Sequence, residues 1–233
     1  TFLEQFVHCI STLNFIIFSF SLIFPNIIDI IQFILILNLI KIQTYEYYIK
    51  KIELSQMISV WLRVIRVRFL LASVIAVSVG LALNWSQNGS IDLLDVVLTF
   101  AGVMALHASV DLLNDFWDFK RGIDTKTTRT KMSGGTGVLP EGLLKPSTVY
   151  RAGVAFLIIG SLIGSYFVIT HGILIAIILG FAILSIYFYS TKIVDSGLGE
   201  FFVAVKGSMI VIGTFFIQSG EVTVESIFAG IVI

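Results

Sequence analysis

"LLDVVLTFAGVMALHASVDLLNDFWDFKRGID", Leu93 to Asp124, opens as an apolar run and closes in a cluster of acids and amides. A bilayer is crossed by about 20 apolar residues in a helix, and the run is long enough. Successive helical residues turn by about 100°, so His107, Asp111, Asn114 and Asp118 share one face, with Asp115 beside it. A carboxylate in a membrane helix costs about 3 kcal/mol even on insertion scales. Something must compensate three of them. A helix end protruding into water accounts for Asp115 and Asp118, but less well for His107 and Asp111, which lie deeper on the same stripe.

The rest of the chain agrees with a membrane reading. Hydrophobic residues make up 57% of it and charged residues only 13%, and the mean hydropathy is +0.98, well outside the soluble range. Acidic and basic residues balance at 15 each, and no basic tract suits a nucleic acid. A single cysteine, Cys9, excludes an internal disulfide or a cysteine metal site.

Residues 1–56 differ from the remainder of the chain. Up to Ile52 there is no glycine, alanine or arginine, and the first methionine is Met57. Residues 1–56 are expected to be an atypical hydrophobic leader or a mistranslated upstream region, with residues 57–233 forming the N-terminal part of a catalytic domain. The other reading is a genuine extra hairpin turning at Pro25-Asn26.

After Met57, spans are expected near 66–84, 93–118, 149–169, 173–190 and 201–218, and a sixth helix starts at Val224. Its "SIFAGIVI" is too short to cross, so the chain is expected to be a fragment. The fold class is an all-α integral membrane protein. Lys and Arg collect on the cytoplasmic side. Here Arg63, Arg66 and Arg68 precede the first span, and Lys120 to Arg151 supply seven cations around the loop between the second and third. The stretches "NWSQNGSID", "THG" and "QSGEVTVE" carry none. The acidic cluster therefore faces the cytoplasm.

Clustered carboxylates suit Mg²⁺, which binds through a few of them together with substrate phosphates. Lys120, Arg121, Lys126, Arg129 and Lys131 can neutralise a diphosphate, and "SGGTG" (133–137) offers backbone N–H groups of the kind that form anion nests. Singly each feature is weak; adjacency within one loop points to a metal–diphosphate site.

At "NDFWDFKRGID" the chain resembles the first Asp-rich motif of the UbiA superfamily of intramembrane prenyltransferases, nearest the 1,4-dihydroxy-2-naphthoate polyprenyltransferase branch. "SGGTGVLPEGLLKP" (133–146), "YFYS" (187–190), "GLGE" (197–200), "GTFFIQSG" (213–220) and the upstream His107 are similar to that branch in type and order. The resemblance implies a UbiA-type helical bundle, here five full spans plus the start of a sixth. It implies Mg²⁺-assisted transfer of a polyprenyl group from its diphosphate to an aromatic acceptor in quinone biosynthesis, within the lipid bilayer. It makes Asp115, Asp118 and Asp124 catalytic, and these three with Asn114 the metal ligands. Asn114, Lys120, Arg121, Arg129, Tyr189, Lys192 and His107 become substrate-binding candidates.

The chain departs from the pattern at several points. Asp111 stands where an uncharged amide is expected, Tyr189 and Lys192 are one residue closer together than the usual pair, and the Arg-Pro pairing before the first span reads "RVRF". The second Asp-rich motif is expected beyond Ile233. Lys206, inside the fifth span, is either functional or a lysine that snorkels to the interface. A glycerophosphate, chlorophyll-type or haem-type acceptor shares the first motif. The rival from another class is a cation or proton transporter lined by Asp111, Asp115 and Asp118, but a relay needs acids across the whole bilayer, and the other spans carry no matching ones.

Overall fold

The computed structural model describes residues 11–12, 27–126, 135–188 and 199–233, and every regular element among them is a helix. These are α1 (Ile27–Val64), α2 (Val67–Asn88), α3 (Leu93–Lys120), the single turn α4 (Ile123–Lys126), α5 (Pro146–His171), α6 (Ile173–Phe188), α7 (Gly199–Ser219) and α8 (Val224–Val232). The chain divides into two compact units, residues 1–58 and 59–233. In the first, α1 exposes Leu35, Ile36, Leu39 and Ile42. The second holds the bundle.

Helices α2, α3, α5 and residues Phe201–Ser219 of α7 are long and apolar enough to cross a membrane. The span expected at 173–190 is described as helix only over the 16 residues of α6. Its last two expected residues, Tyr189 and Ser190, lie outside the described residues. Helix ends follow local chemistry. Asp92 caps α3 by accepting from the N–H groups of Leu94 (2.9 Å) and Asp95 (3.1 Å), groups with no partner inside the helix. Gly89 ends α2 in the left-handed region, with φ 64°. Pro146 starts α5 three residues before the expected boundary, at a position where its missing N–H costs nothing.

In lipid the hydrophobic effect does not drive helices together, and close approach through small residues takes its place. The pairs α3/α5 and α2/α7 pack most extensively. On α5, Gly153 lies against Leu112 and Leu113, and Gly160 against Leu106 and the Gly102 carbonyl. Gly80 of α2 lies against the Val211 carbonyl and Thr214 of α7; an added Cβ would sit 2.7 Å from that carbonyl oxygen. One core cluster positions the site. Val138 and Leu139, from the loop before α5, are buried with Val64, Leu112 and Val149. This docks the loop on the end of α3.

Candidate functional site

The polar end of α3 is built from that docked loop and the α1–α2 junction. Asp115 is fully buried. Its Oδ1 accepts from Arg66 Nη2 (3.2 Å) and the Thr136 N–H (3.2 Å), and its Oδ2 from the Thr136 hydroxyl (2.6 Å). Three donors therefore offset the desolvation of one carboxylate. Arg66 makes its contact from a left-handed backbone, φ 54°, unusual for a residue with a side chain.

Arg63 secures the same loop from outside. Its Nε donates to the Thr136 carbonyl (2.7 Å), and its two terminal nitrogens reach Glu141 at 2.9 and 2.8 Å. The hydrogen bond to Glu141 raises the Arg63 pKa further above its ordinary value, against a smaller opposing effect of burial. The loop anchor stays charged at any physiological pH.

One turn along α3, Asp118 is arranged differently. Its Oδ2 accepts from Asn114 Nδ2 (2.9 Å) and its Oδ1 from Arg121 Nη2 (2.8 Å). Asn114 Oδ1 is buried and has no hydrogen-bond partner. Asp124, also buried, lies against Gly135, whose φ of 71° favours glycine and whose Cα a Cβ could leave only by overlapping the carboxylate. Lys120 stacks its ammonium over Phe116 and Trp117, 5.9 and 5.4 Å from the ring centroids. Arg129, Tyr189 and Lys192 lie outside the described residues, as do Lys131, Ser133 and Gly134.

Deeper on α3, Ser73 Oγ of α2 is 2.6 Å from His107 Nδ1. His107 Nε2 is 3.7 Å from Asp111 Oδ2, beyond hydrogen-bonding distance. Lys206 of α7 lies within electrostatic reach of both His107 and Asp111.

Sequence reasoning missed Arg66 and Thr136 as site residues. Arg66 was legible only as part of the positive-inside signal. Thr136 stands in the Gly-rich stretch expected to offer N–H groups to an anion, but its N–H is taken by Asp115 and that of Val138 by the Thr136 hydroxyl (3.3 Å). The described part of the stretch closes the loop.

Among the described residues no three His, Cys, Asp or Glu side chains form a group able to hold a metal. The donor chemistry nevertheless fits Mg²⁺ in its usual mode of one or two carboxylates completed by substrate phosphates. The open Asn114 Oδ1 and the Asp118 carboxylate bonded to the same side chain are hard oxygen donors. Asp115 fits less well, because Arg66 and Thr136 already fill three of its roughly four lone-pair sites.

Residues 72–233 match the model of the UbiA prenyltransferase family. UbiA prenyltransferase domain-containing protein 1 of Xenopus tropicalis is 32% identical over 146 residues, 62% of this chain and 39% of that protein. The 1,4-dihydroxy-2-naphthoate octaprenyltransferase of Bacillus subtilis (strain 168) is 29% identical over 145 residues, 60% of this chain and 45% of that protein. The chain thus spans less than half the length of these curated relatives. A solved structure from work on digeranylgeranylglyceryl phosphate synthase aligns with a TM-score of 0.56 at 20% identity, covering 75% of this chain and 57% of that one. At that identity the likeness is one of fold.

Proposed function

Because the chain belongs to the UbiA prenyltransferase family, we propose that its protein transfers a polyprenyl group from a polyprenyl diphosphate to an aromatic acceptor in the membrane. The acceptor is a quinone precursor of the 1,4-dihydroxy-2-naphthoate type. The observation that carries this reading is the Asn114–Asp118 pair at the end of a membrane span, beside a loop locked in place through Thr136. Similarity to the naphthoate octaprenyltransferase of Bacillus subtilis supports the acceptor class.

Each residue then has a task. Asn114 Oδ1 and Asp118 would hold Mg²⁺, with Asp124 a further candidate ligand. Bound there, the metal supplies Lewis-acid neutralisation of the diphosphate leaving group. Arg121 orients Asp118 by its 2.8 Å hydrogen bond, and Lys120, Arg121 and Arg129 complement the phosphate charge. Tyr189 and Lys192, in the stretch that follows α6 in sequence, are further diphosphate candidates. Asp115, tied to Arg66 and Thr136, keeps the Gly-rich loop closed over this end of the bundle. Val110, Leu113 and Ile186 form an apolar cluster that would shield an allylic cation from water. The bias of Lys and Arg toward this end of the spans supports a site that faces the cytoplasm.

The test is an assay in proteoliposomes with geranylgeranyl diphosphate, 1,4-dihydroxy-2-naphthoate and Mg²⁺, with product followed by mass spectrometry. Prenylated naphthoate that disappears with EDTA is the expected result. Product with a glycerophosphate acceptor alone would move the protein to another branch. Proton or cation flux without any transfer would favour the transporter reading.

A further inference from the structure

The break between α1 and α2 has no local cause. Neither glycine nor proline occurs between Pro25 and Gly80, and such residues are the usual origin of a helix interruption. By its own chemistry "WLRVIRVRFLL" (61–71) would continue as one helix. Instead Arg66 takes φ 54° and ψ 48°, the only positive φ outside glycine among the described residues. The ladder tightens around it. The Arg66 N–H donates to the Arg63 carbonyl (3.1 Å), and the Phe69 N–H to the Arg66 carbonyl (2.7 Å). A residue with a Cβ is strained in this left-handed conformation.

Contacts with one loop offset the strain, and they come from both sides of the break. Ahead of it, Val64 is buried with Val138 and Leu139, and Arg63 bonds the Thr136 carbonyl and Glu141. At the break itself, Arg66 meets the Asp115 carboxylate, which also accepts from the Thr136 N–H and hydroxyl. Strain and loop are therefore linked. Once the loop leaves, nothing holds Arg66 in the left-handed region, and its return to the right-handed one joins the two helices.

We propose that residues 65–66 are a strained hinge whose catch is the Arg66–Asp115–Thr136 contact. Loop 136–145 is closed over the polar end of α3 while the helix is broken, and it opens as α1 and α2 become continuous. On the prenyl-transfer reading, opening admits the diphosphate and closing excludes water; the hinge itself does not depend on that reading.

Pulsed EPR in nanodiscs, without substrate or Mg²⁺, tests this. Spin labels are placed at Ser59→Cys and Ile75→Cys, both exposed positions, in a Cys9→Ser background. A continuous helix would separate these backbone positions by about 24 Å at 1.5 Å per residue, and redirection at Arg66 shortens that. The unsubstituted protein is expected to show mainly the shorter distance. Arg66→Ala and Arg66→Gly both remove the guanidinium, but alanine resists the left-handed region and glycine does not. The alanine variant should therefore move to about 24 Å, while the glycine variant stays short. Thr136→Val, which cuts the catch from the loop side, should add a population near 24 Å. The Gly142 and Leu143 N–H groups, bonded to the Leu139 and Val138 carbonyls, should exchange hydrogen faster in Arg66→Ala than in Arg66→Gly.

Equal distance distributions in the two Arg66 variants, or an unchanged one in Thr136→Val, overturn the proposal. If Arg66→Ala does not fold, Thr136→Val decides alone. Prenyl transfer by a protein whose distances never move would sink the hinge and leave the enzymatic reading standing. The expected shifts in a protein that transfers nothing would do the reverse.

Discussion

Asp115 and Asp111 lie one turn apart on α3, at its loop-facing end and nearer its middle. Arg66 and Thr136 supply three donors to the first, whereas the second keeps an oxygen that no donor reaches. The loop-facing region is closed by its own hydrogen bonds; the deeper one has charge balance from Lys206 but incomplete hydrogen bonding. The difference separates two uses of a buried acid. A carboxylate filled by protein donors holds structure together, and one left with an unbonded oxygen carries a cost that its surroundings do not offset.

The largest expected effect concerns neither of these but Asp118, the more accessible acid at the same end. Asp118→Ala should lower Mg²⁺-dependent prenyl transfer by about 10²–10³-fold, the usual loss when an electrostatic stabiliser is removed. Near-normal turnover in the proteoliposome assay would take Asp118 off the catalytic roster. Asp115→Ala should instead lose stability, by about 2–4 kcal/mol, because it strands the half-buried Arg66 and Thr136 donors. Asp111→Leu should cost no more than about 1 kcal/mol, since replacing an underpartnered buried charge with an apolar group is often close to neutral. Denaturant titration in detergent compares the two variants; equal losses would erase the contrast between the regions.

Packing sets the next size of effect. Gly80→Ala puts a methyl group 2.7 Å from the Val211 carbonyl oxygen. Backbone cannot rotate away, so α2 and α7 must separate, at about 1–3 kcal/mol, visible as a lower Tm. Glu141→Gln should have the smallest effect, under about 1 kcal/mol in a thermal melt, because the Arg63–Glu141 pair is half-exposed and such pairs contribute little. A larger loss would mean that the loop is held mainly from outside rather than through Asp115.

Much of this was legible in the chain itself. The apolar runs located α2, α3, α5 and the start of α8 to within a few residues, since hydrophobic length and capping chemistry are local properties. The i, i+4 spacing put Asn114 and Asp118 on one face, and their side chains are indeed bonded at 2.9 Å. Other features were not legible. Arg66 reaches Asp115 from 49 positions away and Thr136 from 21, and no periodicity connects them. The loop's role depends on Val138 and Leu139 burying themselves against α3, which their own sequence does not announce.

By itself, the sequence determined the membrane-helical class, the polar face of α3 and, through the Asn114–Asp124 motif, the family that the match over residues 72–233 bears out. Each depends on chemistry within a few turns of one helix. Only the tertiary structure decided which acid is spoken for and which is left open. That choice belongs to donors on other helices and on the docked loop, and glycine-mediated packing of α2, α3, α5 and α7 brings those donors within reach or leaves them too far away.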